Sequence, residues 1–96
     1  MTFEVKVHTR VIAYINTVPE KSRRIIRKAL EDLEQNPYPG SRGDKERLDV
    51  GHGREIFRIH IARTYTAFYS LDTENRIVKV HDILTTEQAH KKYGRI

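Results

Sequence analysis

Arg58 and His60 stand two residues apart in Phe57-Arg58-Ile59-His60-Ile61, set among large apolar residues. That alternation is the period of a half-buried strand, so both side chains project from one face, about 7 Å apart along it. A guanidinium there can hold a phosphate and offset negative charge that develops on it. An imidazole titrates near neutral pH and can carry a proton. In a later run of the same texture, Lys79 and His81 alternate with Val78 and Val80. They add a second cation and a second imidazole. Read without chemistry, these four are ordinary solvent-facing strand residues, and the pattern alone weighs the two readings evenly.

The elements that must position them come next. Tyr65, Ala67, Tyr69 and Leu71 alternate with Thr66, Phe68 and Ser70, which predicts a strand directly after the first. The third run, Ile77 to Leu84, puts Val78, Val80 and Leu84 on one side and Lys79 and His81 on the other. Three such runs with short connections predict an antiparallel meander. Parity fixes its first turn: Ile61 and Tyr65 share the core face only across an odd-length loop. Ala62-Arg63-Thr64 is therefore a three-residue hairpin loop. Arg58, His60, Thr66, Lys79 and His81 then emerge together on the face away from the core, which is the candidate site.

Upstream, Phe3, Val5 and Val7 alternate with Glu4, Lys6 and His8, a short strand. Thr9 is placed to cap a helix with Val11, Ile12 and Ile15 on one face. Pro19 stands near the start of a second helix, where Ile25, Ile26, Ala29, Leu30 and Leu33 form an amphipathic stripe ended by Asn36-Pro37. So short a link predicts an antiparallel helical hairpin. Lys21, Arg23, Arg24, Arg27 and Lys28 fill the first half of that second helix, and Glu31, Asp32 and Glu34 the second. The macrodipole prefers the reverse order. The basic end is thus either a binding surface or a tolerated solvated face.

From Tyr38 to Gly53 the chain reads as loop, with a brief edge strand over Arg47-Leu48-Asp49-Val50. Gly40-Ser41-Arg42-Gly43-Asp44-Lys45 lacks the spacing of a phosphate loop. Asp72-Thr73-Glu74-Asn75-Arg76 forms the turn before the last strand. Thr85 caps a final helix, with Gln88 in the capping-box position, and Gly94 stops it.

Ninety-six residues make one domain, 1–96, with room for one modest core. Eighteen Lys and Arg against thirteen Asp and Glu give a net charge of +5, which favours nucleic acid or an acidic protein segment as partner. No cysteine is present, so disulfides and thiolate metal sites are excluded. The five histidines show no paired ligand spacing, and neither a metal nor another cofactor is expected. The N-terminus lacks a signal peptide's apolar core and no run is long enough to span a bilayer, so a cytoplasmic protein without membrane attachment is expected.

Arg-Glu-Ile-Phe-Arg-Ile-His-Ile (54–61), Thr-Tyr-Thr-Ala-Phe-Tyr-Ser-Leu-Asp (64–72), and Val80-His81-Asp82-Ile83 before a short helix with Tyr93 carry a resemblance. With the preceding strand, helical hairpin and Gly-containing loop, the chain resembles the RelE/ParE superfamily of type II toxin–antitoxin toxins. The likeness spans essentially the whole chain and is one of element order and strand texture. It implies an α+β, two-layer RelE-like fold: an N-terminal strand and helical hairpin packed on an antiparallel sheet, with a short C-terminal helix and the first strand beside the last. It implies a ribosome-dependent mRNA endonuclease, an mRNA interferase that inhibits translation. The alternative is a non-catalytic binding protein, either a gyrase-directed ParE-like toxin or a degenerate relative.

Carried over by position, the resemblance makes Arg58, His60, His81 and Tyr93 the catalytic candidates and Arg47, Arg63 and Lys79 the RNA-binding ones. The arginine that RelE-type enzymes place on the next strand is Thr66 here. Another, expected just after the last strand, falls near Thr85. The implied partners are an acidic antitoxin protein, the ribosome and mRNA.

Overall fold

A computed structural model describes residues 2–40, 44–49 and 55–93. Along them run β1 (Glu4–Val7), α1 (Thr9–Ile15), α2 (Glu20–Asp32), β2 (Lys45–Asp49), β3 (Glu55–Ile61), β4 (Tyr65–Asp72), β5 (Ile77–Thr85) and α3 (Thr86–Tyr93). The strands form one sheet in the order β1-β5-β4-β3-β2. β2 to β5 are the antiparallel part, and β1 lies beside β5 as expected, but parallel to it. The sheet is therefore mixed rather than wholly antiparallel. The chain leaves β1 through two helices, and a long crossover permits the parallel pairing that a tight hairpin forbids.

Alternation in β3, β4 and β5 buries Phe57, Ile59, Ile61, Ala67, Tyr69, Val78 and Val80 in one cluster with Ile26, Leu30 and Leu33 of the helical layer. Tyr69 carries the one polar atom of that set, and its hydroxyl donates to the Pro37 carbonyl at 2.6 Å. The helical stripes are narrower than the sequence suggests. Ile26 is fully buried while Ile25 is 39% exposed, because successive helical residues turn by about 100° and both cannot face inward. Ile12, at 49% exposure, is turned away in the same manner.

The caps hold one correction. His8, not Thr9, caps α1: its Nδ1 accepts from the Arg10 backbone N–H at 3.0 Å. At the other end Arg23 reaches from α2 to the carbonyls of Ile15, Asn16 and Val18, each at 3.4 Å. That spends one cation of the basic run on closing α1. The predicted capping box of α3 is present in full: Gln88 N–H donates to Thr85 Oγ1 and Thr85 N–H to Gln88 Oε1, both at 3.1 Å. Gly94, the expected stop, lies outside the described residues.

Two irregularities set the site face. The hairpin pairs Ile61 with Tyr65 across three residues, with Ala62 and Arg63 at φ 53° and 60°. Further on, the β4–β5 register slips, so that Phe68 opposes Asp82 but Tyr69 opposes Val80. His81 is the additional residue of this bulge. Downstream parity is reversed. Ile83 enters the main core, whereas Leu84, expected there from simple alternation, lies on the other face.

That other face is only partly open. Leu48, Phe68 and Ala89 form a second small core, with Ile56 and Leu84 against it. α3 therefore folds back across the sheet and covers its centre.

Candidate active site

Directly opposed residues of neighbouring strands share a face. Glu46 opposes Arg58, and Arg58 opposes Phe68, so all three stand on the side that α3 partly covers. Arg58 Nη2 donates to Glu46 Oε2 at 2.6 Å. The Arg58 side chain is 15% exposed and that of Glu46 46%, so the carboxylate is the more accessible half of the pair. His60 Nε2 lies 3.7 Å from the other oxygen of the same carboxylate. Its Nδ1 is 3.4 Å from Thr66 Oγ1, which is 3.4 Å from Thr86 Oγ1 at the start of α3. Glu46 thus bridges the two side chains that the strand pattern singles out, and a hydroxyl pair holds the far side of the imidazole.

The bulge places a second histidine on this face. His81 Nε2 and Ser70 Oγ lie 2.6 Å apart. Ser70 opposes both Ile56 of β3 and Lys79 of β5, so Lys79 points the same way and is exposed. Arg63 sits exposed at the hairpin tip, one pair beyond the His60–Thr66 row. Arg58, His60, His81, Lys79 and Arg63 are all on or beside one surface.

One predicted residue is not part of that set. Arg47 opposes Phe57, so its strand position faces the helical layer, on the side away from Arg58. Tyr93 ends α3, and its side chain lies outside the described residues. Thr66 is 1% exposed, so it is not the solvent-facing strand residue that alternation alone suggests. The start of α3 sits over it.

Glu46 is the residue that sequence reasoning missed. It falls in a stretch read as loop, one residue before the expected edge strand. Its signal is visible only through pairing, since Lys45–Asp49 is in register with Ile59–Glu55. Among the described residues no group of three or more His, Asp or Glu is arranged to hold a metal ion.

The family model for ParE toxins of type II toxin–antitoxin (parDE) systems matches residues 8–90. The chain belongs to the ParE toxin family. It is 28% identical over 91 residues to a RelE1 toxin candidate of Methanocaldococcus jannaschii, covering 95% of this chain and 98% of that protein. The toxin of the Pyrococcus horikoshii RelE–RelB complex superposes with a TM-score of 0.76 at 22% identity, over 88% of this chain and 96% of the other. The RelBE2 toxin–antitoxin complex of Mycobacterium tuberculosis gives 0.72 at 17%, over 88% and 99%. At such identities the structural likeness speaks for the fold, which is RelE-like α+β. The protein is a toxin of the RelE/ParE group.

Proposed function

We propose that this toxin is a ribosome-dependent endoribonuclease that cleaves mRNA. The observation that carries the reading is the carboxylate of Glu46, in reach of both Arg58 and His60 on an accessible face. Cleavage of RNA without a cofactor needs a base for the ribose 2′-hydroxyl, a cation for the phosphorane and an acid for the leaving 5′-oxygen. Glu46 is suited to the first task and Arg58 to the second. His81 or His60 supplies the proton. The 2′-oxygen bonds to phosphorus as the bond to the 5′-oxygen breaks, which leaves a cyclic phosphate and a free 5′-hydroxyl. Arg63 and Lys79 hold flanking phosphates, and Tyr93 stacks on a base. Arg47 has no part in this version, because its row faces the helices.

An acidic antitoxin is the proposed protein partner, since RelE-type neighbours were solved as RelB complexes and this chain carries +5. Exposed Lys21, Arg24 and Arg27 on α2 supply the attraction. The cytoplasm, where such an antitoxin and the ribosome meet the toxin, is the proposed compartment; no helix among the described residues is long and apolar enough to cross a membrane.

A defined message translated in vitro with wild type, Arg58→Ala, His60→Ala and Glu46→Gln tests the activity. Codon-positioned cuts by wild type that the variants lose by 10²-fold or more, roughly, support it. An intact message on translating ribosomes overturns it. The second reading, a ParE-like toxin that acts by binding gyrase, is favoured by the family model and by the neutralised Arg58. Inhibition of DNA supercoiling with no effect on the message would select it.

A further inference from the structure

Lys6 and Lys79 are directly opposed residues of the parallel strands β1 and β5, and both are exposed. Their backbones are about 4.8 Å apart across the sheet. Like charges directly opposed are destabilising, so this pair is held at a cost. The same row continues through Ser70, which opposes Lys79 and meets His81 at 2.6 Å. Two acids flank the pair on one side and leave the other open. Asp72 stands diagonal to Lys79 and feels its charge, although its carboxylate is held chiefly by the Asn75 side chain and backbone N–H at 2.9 and 3.0 Å. Glu4 lies two residues from Lys6, opposite Ile77.

We propose that Lys6 and Lys79 together form a phosphate seat for single-stranded RNA, which extends the substrate track from β3 to the β1 edge. Two ammonium groups side by side suit the non-bridging oxygens of one phosphodiester, and an anion between them relieves their mutual repulsion. Lys79 stands two strands and Lys6 three strands across from Arg58, roughly 10 and 14 Å, so the seat holds a phosphate further along a strand whose scissile bond is at Glu46 and Arg58. It rests on the reading of RNA as substrate. Contacts of this kind position the strand and carry no sequence information.

The test is fluorescence anisotropy with a labelled short single-stranded RNA at several salt concentrations. Lys6→Ala and Lys79→Ala should each weaken binding equally for all sequences, and the double variant should flatten the log–log salt dependence by about 0.7, the share of one phosphate. Lys28→Ala, which removes an equal charge from the exposed face of α2, should change affinity far less. Lys6→Glu should raise the thermal midpoint, because it faces Lys79, while it weakens RNA binding. Opposite movement of stability and affinity is the signature of a binding pair. Equal losses in the Lys28 and Lys6 variants, or unchanged binding in both seat variants, overturn the seat and leave the cleavage reading standing. Cleavage lost in Arg58→Ala with binding intact bears on the catalytic reading alone. Wild-type protein that binds no RNA at any salt overturns both.

Discussion

Glu46 and Arg58 are opposed across β2 and β3, and their side chains meet at 2.6 Å. The carboxylate is half exposed, so the pair is worth only ~0.2–1 kcal/mol to the fold. Its consequence is electrostatic. The guanidinium suited to a phosphate already donates to a carboxylate through Nη2 in the free toxin, and a substrate phosphate has to share it with that negative charge. Glu46→Gln should therefore strengthen binding of RNA while it lowers cleavage about 10²–10⁴-fold, the usual contribution of a positioned base. Anisotropy and single-turnover cleavage on the same protein separate the two effects. Parallel loss of both would assign Glu46 a merely structural role.

The two faces of β3 should differ sharply in what they contribute to stability. Ile59 is 3% exposed in the main core, and Ile59→Ala should cost ~2–5 kcal/mol through lost burial and the cavity left behind. Arg58→Ala should cost about 1 kcal/mol or less. Denaturant melts of the two variants measure the contrast. Comparable losses would mean that the second small core beneath α3 depends on the arginine stem.

Much of this arrangement is legible in the sequence because it follows from a period of two. Phe57, Ile59 and Ile61, then Tyr65, Ala67 and Tyr69, alternate without interruption, and parity alone gives the three-residue turn between them. Alternation fails where the backbone breaks step. The bulge at His81 adds one residue, moves Ile83 inward and turns Leu84 to the other face. No residue type marks that slip. Glu46 was illegible for a different reason: its importance comes from opposing Arg58, a contact twelve residues away across an edge strand rich in charge. Likewise Phe68 reads as an exposed aromatic on an open face until α3 is seen to lie over it.

Tyr69 predicts an alkaline limit to stability. Burial, and then the Asp44 charge, push its phenol above the ordinary value of 10.0. The native state therefore favours the protonated form. Its contribution is complete below pH 10 and declines as pH rises from there toward the raised native value. Tyr69→Phe should lose ~1–3 kcal/mol at neutral pH, because the Pro37 carbonyl loses its donor. Above pH 10 the difference between the two proteins should shrink. Urea melts at several alkaline pH values measure it, and a constant difference would show that the phenol titrates normally.

The cap of α3 should control how firmly the sheet face is covered. Thr85→Ala removes the acceptor for the Gln88 N–H and should cost ~0.5–2 kcal/mol. The loss should be local: hydrogen exchange should quicken in α3 ahead of β3 and β4. Uniform acceleration would mean that α3 unfolds only together with the sheet.

The last prediction concerns Thr66, where the resemblance to RelE-type enzymes places an arginine. Simple restoration, Thr66→Arg, looks from the sequence like a gain of one phosphate contact. The structure argues otherwise. Thr66 is 1% exposed, with its hydroxyl 3.4 Å from both His60 and Thr86. A guanidinium introduced there meets α3 above and His60 beside it, and the Glu46 carboxylate beyond His60 is already engaged by Arg58. Overpacking alone costs ~1–3 kcal/mol, and an unpaired buried charge adds to that. Thr66→Arg should therefore lower the thermal midpoint and loosen α3, with no gain in cleavage. A stable variant with faster cleavage would show that α3 yields at this point and that the longer side chain reaches the substrate.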